Sequence, residues 1–221
     1  MSPSNHTPLS TSAILDSGTQ PAPRDTLEPF LHIPWVARQI QQPGISCVVP
    51  NCRLAKLSGE DSLMAELLRT ERTIRHCVSF YPTTATDTEE VTEVHTVMIL
   101  GDGMNGHPQI MHGGIVATIC DEAMGILMSI NGERRRRHLK LKQDEAAQLM
   151  SSFTAELKIT YKAPVRAPGE VVVSARRVKK EGKKEWFRAE AKQQVEEKVV
   201  LCAIGEALFI EPKVARPKPK I

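Results

Sequence analysis

Apolar and polar positions alternate most clearly in the last third of the chain. Phe153, Ala155, Leu157, Ile159 and Tyr161 interleave with Thr154, Glu156, Lys158 and Thr160, a two-residue period that predicts a strand. Pro164 and Pro168-Gly169 end it. Three further strand-like runs follow, at 171–178, 185–195 and 199–210, with a turn at Glu181-Gly182. Upstream, 73–81 and 91–100 read as two more strands joined by a turn region at 82–87. Between the two groups the period changes. Residues 113 to about 129 form an apolar helix that Asn131-Gly132 is expected to end, followed by a basic insertion, Arg134 to Lys142. Near the start, Phe30, Ile33, Trp35, Val36 and Ile40 recur at near-helical spacing, with Pro34 where a first turn tolerates it. Asp61 reads as the N-cap of another helix over 62–68. Strands, one buried helix, then a run of antiparallel strands predict an α+β fold with a single sheet. The expected organisation is a disordered segment 1–28 rich in Ser, Thr, Pro and Asn, a helical extension 29–72, a main domain 73–211 and a basic tail 212–221.

The central helix carries the chemistry. At 100° per residue, Ile115, Ile119, Cys120, Ala123, Ile126 and Leu127 fall on one broad side, and Gly114, Thr118, Asp121 and Gly125 on another, with Glu122 nearby. Burying an unpartnered carboxylate is costly, so Asp121 faces solvent, has a partner or lines a pocket. In the plainest reading Asp121 and Glu122 are a solvated edge and the glycines are packing aids. Two glycines opening a helix also let another group approach its exposed N–H donors, which favour partial negative charge. His112-Gly113-Gly114 thus reads as an oxyanion site with a carboxylate further along the same helix.

These residues resemble a known family. His112-Gly113-Gly114 followed by Asp121, nine positions after the histidine, resembles the hot-dog-fold acyl-CoA thioesterases of the phenylacetate and THEM type. The resemblance covers about 73–211. Thr154, seven residues before Tyr161, stands where the family places a Ser or Thr pointing into the site. Asn105-Gly106-His107 resembles the family's Asn-containing loop, one residue further from the glycines than the family spacing. The Phe30-to-Trp35 stretch resembles fungal members. The resemblance implies an antiparallel sheet wrapped around one long helix and hydrolysis of an acyl-CoA or acyl-carrier thioester. By the same resemblance the Gly113 N–H polarises the carbonyl, Asp121 acts as general base or attacks directly, and Thr154 orients water or Asp121. His112 touches substrate or braces the loop, and Gly114 and Asn105 contact substrate. Neither a metal nor a redox cofactor is implied; CoA is part of the substrate. A non-catalytic acyl-CoA-binding protein and a hot-dog hydratase or dehydratase are the alternatives. The latter pairs a catalytic His with an acid in another motif, which this sequence lacks.

Gly113 and Asp121 are eight residues apart, roughly 12 Å along a helix rising ~1.5 Å per residue, too far to meet at one carbonyl carbon. Two antiparallel helices across a two-fold axis bring the start of one to the middle of the other, so a homodimer is expected; the resemblance adds the option of a tetramer.

Composition sharpens this only in places. The net charge of +3 hides a split: 60–105 hold nine acids and three bases, and 131–221 hold 22 bases and 12 acids. Arg134, Arg135, Arg136 and Arg137 read as a solvated loop or as a clamp for CoA phosphates, while nucleic acid is disfavoured by the few aromatics among the bases. Met111, Met124, Leu127 and Met128 fit an acyl pocket or ordinary core equally. Cys120 lies on the apolar side and reads as packing. Five cysteines without a close pair suggest neither a disulfide framework nor a zinc site. No run matches a membrane span or a targeting segment, so an intracellular setting is expected, cytoplasmic first and mitochondrial second.

Overall fold

The computed structural model describes residues 20–86, 89–140 and 152–212. Strands β1 (Gln20–Pro21) and β2 (Ile45–Val49) flank helices α1 (Arg24–Leu31) and α2 (Pro34–Ile40). Next come β3 (Ile74–Pro82), β4 (Glu93–Leu100) and a small hairpin, β5 (Asn105–His107) with β6 (Ile110–Met111). The long helix α3 (Gly113–Leu139) precedes β7 (Phe153–Tyr161), β8 (Gly169–Glu181), β9 (Lys184–Val195) and β10 (Lys198–Ile210). Eight strands form one sheet in the order β1-β2-β3-β4-β8-β9-β10-β7, every pair antiparallel. The α+β reading with a single main sheet around one helix holds.

The core lies between α3 and one face of that sheet. Val116, Ile119, Cys120, Ala123, Met124 and Leu127 of α3 pack in one cluster with Val171, Val173 and Ala175 of β8 and Phe187, Ala189 and Ala191 of β9. A fully buried aliphatic side chain of this size stabilises by ~1.5–3 kcal/mol. Helix and sheet approach most closely at Gly205 of β10, where a Cβ would lie 3.1 Å from Cys120 Cβ and 3.2 Å from Met124 Cε. Ile115, expected on the buried side, is only half-buried. By length and composition α3 could cross a membrane; in the fold Val116, Ile119, Cys120, Ala123, Met124, Ile126, Leu127 and Ile130 of this helix are buried.

The opposite face of the sheet is covered in part by the extension. Phe30, Trp35, Val36 and Ile40 pack on Val78, Phe80, Val97 and Val172, and the Trp35 indole N–H donates to Glu170 Oε1 at 2.8 Å. β3 is therefore apolar on both faces, which explains its unbroken buried run from Cys77 to Tyr81.

Several expectations change. Residues 20–28, expected to be disordered, hold β1 and most of α1, because the Ala22 N–H donates to the Cys47 carbonyl and α1 ends in the fully buried Phe30. Residues 1–19 lie outside the described residues, as does the tail beyond 212. The helix expected over 62–68 is one π-helical turn, Leu63–Leu67. Asp61 does not cap it: its φ is +62°, and its carboxylate pairs with Lys56. Buried Arg53 holds that turn instead, donating to the carbonyls of Met64 (2.6 Å), Leu68 (3.0 Å) and Ile74 (2.8 Å). Asn131-Gly132 does not end α3. Asn131 accepts from the Val91 N–H at 2.8 Å and donates to the Val91 carbonyl at 2.9 Å, so its amide grips the neighbouring strand entrance rather than its own backbone. The helix runs on to Leu139 and closes at Lys140 in the left-handed region, φ 51°. Finally β7 alternates as expected but is an edge strand: Phe153, Leu157 and Tyr161 are 65%, 38% and 54% exposed.

Candidate active site

The start of α3 is shaped by close approach. His112 is the N-cap, its backbone extended at φ −59° and ψ 133°, and its Nδ1 accepts the Gly114 N–H at 3.0 Å. This is the bracing geometry, and it fixes His112 Nδ1 as an acceptor. A Cβ on Gly114 would meet His112 Nδ1 at 3.1 Å, tighter than an ordinary contact. The Gly113 N–H has no partner among the described residues, whereas its carbonyl accepts from Tyr161 Oη at 2.8 Å. The helix therefore opens with one N–H donor available to a ligand, at the end where the helix dipole favours negative charge.

Two turns on, Asp121 lines a cavity of about 210 Å³. Its Oδ1 accepts from Thr154 Oγ1 at 3.0 Å, so the first strand after the helix delivers the hydroxyl to the carboxylate. Burial raises the Asp121 pKa above the ordinary carboxylate value, and the Thr154 hydrogen bond pulls it back down. Cys120, its neighbour, is fully buried and its thiol is pushed up to about 12, first by burial and then by Asp121. It packs, as expected.

Asn105 sits on β5 behind His112; its Nδ2 donates to the Ala167 carbonyl at 3.1 Å, and its buried Oδ1 takes no hydrogen bond among the described residues. The β5–β6 hairpin shifts register between Asn105 and His107, and its Gly106 leaves room for His112.

The four arginines are not gathered at this site. They lie on the last turns of α3 rather than in a loop, with Arg134 roughly 20 Å along the helix from Asp121 at ~1.5 Å per residue. Arg134 donates to Thr84 Oγ1 and to the Thr86 carbonyl at 2.8 Å. Arg136 and Arg137 converge on Glu133, with nitrogen-to-oxygen distances of 2.6 and 2.9 Å, and Arg135 is exposed beside Arg177 and Lys180. Burial alone would raise the Glu133 carboxyl, yet the two guanidiniums hold it below its ordinary value.

One site residue was not legible as such. Glu122 shares the Asp121 cavity, is hydrogen-bonded to the Cys52 thiol and faces Asp61 and Lys56; burial raises its pKa. All three neighbours come from the extension, and no local spacing signals a partnership across seventy residues. Among the described residues no three His, Cys, Asp or Glu side chains are grouped to hold a metal.

Residues 108–199, from the hairpin through α3 to the start of β10, match the model of the thioesterase superfamily. Verlamelin biosynthesis protein B of Lecanicillium is 27% identical over 178 residues, 72% of this chain and 76% of its own length. Among solved structures, a thioesterase family protein of Silicibacter pomeroyi is 18% identical with a TM-score of 0.42, covering 54% of this chain and 76% of that one. The phenylacetic acid degradation operon protein of E. coli is 14% identical with a TM-score of 0.43, over 55% and 73%. The long helix packed against one antiparallel sheet is the hot-dog type of α+β arrangement, and the segment that carries this helix is similar to the thioesterase superfamily over residues 108–199.

Proposed function

We propose that the chain hydrolyses an acyl thioester, carried by CoA or by the pantetheine of a carrier protein, to the free acid and the thiol. The observation that carries this reading is the Thr154–Asp121 hydrogen bond: a carboxylate of raised pKa, lining a cavity beside the buried side of α3, held by a hydroxyl. Asp121 is the general base. Thr154 occupies Oδ1, leaving Oδ2 to take a proton from water as its oxygen attacks the thioester carbon. The carbonyl oxygen becomes an oxyanion, which the Gly113 N–H stabilises. Collapse of the tetrahedral intermediate breaks the C–S bond, and the proton held by Asp121 passes to the departing sulfur.

Gly113 and Asp121 act on the same carbon only if they come from two protomers. Roughly 12 Å separates them along one helix, and both must come within ~3 Å of the reacting group. The edge strand β7, with Phe153, Leu157 and Tyr161 exposed, offers the surface for a two-fold dimer. Each site then takes Asp121 and Thr154 from one chain and Gly113 from the other. The test is thiol release from a panel of acyl-CoAs. Asp121→Asn should keep the fold and lose ~10²–10⁴-fold in turnover, the range for a missing general base. A folded variant with near-wild-type turnover would reject the assignment.

A further inference from the structure

The strand β7 is tied to α3 by two hydroxyls. Near its start Thr154 Oγ1 donates to Asp121 Oδ1 at 3.0 Å, and at its end Tyr161 Oη donates to the Gly113 carbonyl at 2.8 Å. Residues seven apart on a regular strand face opposite ways. Here the pairing with β10 slips between Leu208 and Phe209, Ala155 is the extra residue, and both hydroxyls reach the helix. The first tie holds the carboxylate. The second holds the residue whose N–H is open to a ligand.

The phenol also accounts for glycine at 113. A Cβ there would lie 3.3 Å from Tyr161 Oη, tighter than an ordinary contact, and 3.4 Å from Cζ. The face that the missing side chain leaves open is thus filled by the chain's own tyrosine. Two successive glycines are the loosest way to begin a helix. In this turn the Gly114 N–H is held by His112 Nδ1 at 3.0 Å and the Gly113 carbonyl by Tyr161. The 113–114 peptide is therefore fastened at both ends. His112 fastens it from the adjoining segment, and Tyr161 fastens it to the sheet.

In the two-chain site β7 is the edge on which the chains meet. The carboxylate of one chain and the N–H donor of the other are each referred to that edge by one hydroxyl, Thr154 for the first and Tyr161 for the second. A donor stabilises an oxyanion only within ~2.7–3.1 Å of the place the oxyanion takes, so a small swing of Gly113 relative to β7 is felt in the transition state. We propose that Tyr161 is a positioning residue, holding the Gly113 N–H in register with the carboxylate of the other chain; this rests on the thioesterase reading and the shared site above.

The test uses the full-length chain and thiol release from a panel of acyl-CoAs. Tyr161→Phe keeps the ring against Gly113 and removes only the hydroxyl, at an exposed position where the fold should survive; circular dichroism checks that. Its kcat should fall about tenfold, a part of the ~10²–10³ that outright loss of an oxyanion donor costs, with KM within about twofold. The acid limb of kcat/KM should stay in place, because the Thr154–Asp121 bond is intact. In Gly113→Pro no donor remains to be aimed, so adding Tyr161→Phe should cost less than about twofold more. An undiminished kcat, a rise in KM alone, a shifted acid limb or losses that multiply in the double variant each overturn the positioning role and leave the thioesterase reading intact. Gly113→Pro with wild-type turnover overturns the donor assignment and the proposal with it. A folded wild type that releases thiol from none of the panel overturns the thioesterase reading as well.

Discussion

Replacing Thr154 by valine removes one hydroxyl and keeps the branched shape of the side chain, so the edge strand should be preserved. The hydrogen bond lost is the 3.0 Å contact to Asp121 Oδ1. It opposes the effect of burial, which raises the Asp121 pKa, so without it the pKa rises further. A hydrogen bond to a charged group contributes about 1.5–3 kcal/mol, and Thr154 is exposed, which places this one at the lower end. An energy at that lower end is about a factor of ten in the protonation equilibrium. A general base is inactive when protonated, so the acid limb of kcat/KM, which reports the free enzyme, should move to higher pH, and kcat/KM on that limb should fall about tenfold. The assay is thiol release from one acyl-CoA across the acid limb, wild type beside Thr154→Val. An acid limb that stays in place, or moves down, would show that Thr154 does not act on the ionisation of the catalytic carboxylate.

Asp121→Asn should lose turnover and gain stability. The folded pKa of Asp121 is raised, so its contribution to stability is whole below its unfolded pKa and is lost as pH rises through the folded value. At neutral pH the charged carboxylate is a burden that asparagine lifts, and thermal unfolding at neutral pH should show a higher Tm for the variant; a lower Tm contradicts the sign. Arg53→Met takes its donor from the buried carbonyls of Met64 and Ile74, while the Leu68 carbonyl keeps the Ile74 N–H, and should cost about 2 kcal/mol or more in denaturant unfolding, the penalty for orphaned polar groups. A loss under about 1 kcal/mol would remove Arg53 as the anchor of the turn it holds. Cys120→Ala should keep turnover within about twofold and destabilise by roughly 1–2 kcal/mol through a small core cavity, since its buried thiol is held protonated; loss of most activity in a folded variant would return Cys120 to the chemistry.

What the sequence made legible follows the range of the interactions involved. The strands β7 to β10 and the apolar face of α3 were readable because a period of two or of 3.6 is written in neighbouring residues. Asp121 and Thr154 were readable through the family resemblance carried by the motifs at His112 and Tyr161, and the structure joins them at 3.0 Å. The end of α3 was misread because Asn131 looks like a breaker in isolation; its amide bonds Val91, forty residues away, and the helix continues. Asp61 resembled an N-cap for the same reason, and Lys56 claimed its carboxylate. The arginine run was read as a loop because its partners, Glu133 within the helix and Thr84 far upstream, are set by where α3 lies on the sheet. The part of the cavity lined by Asn51, Cys52, Lys56, Glu60 and Asp61 left no trace in periodicity, because these residues meet Asp121 and Glu122 only in the folded chain.

The claim on which the account turns is that one site draws on two chains, and complementation measures it. Asp121→Ala removes the base. Gly113→Pro removes the oxyanion donor at the first position of α3, where proline suits a helix and the extended backbone of His112 suits the residue before a proline. Each homodimer should be dead or nearly so, a missing oxyanion donor alone costing ~10²–10³-fold. Co-expressed with two different affinity tags and purified through both, the mixed dimer places both lesions in one site and neither in the other. The account predicts about half of wild-type activity per mixed dimer, or roughly a quarter of all sites in an unsorted random mixture. A doubly tagged, folded heterodimer with no more activity than its parents contradicts it.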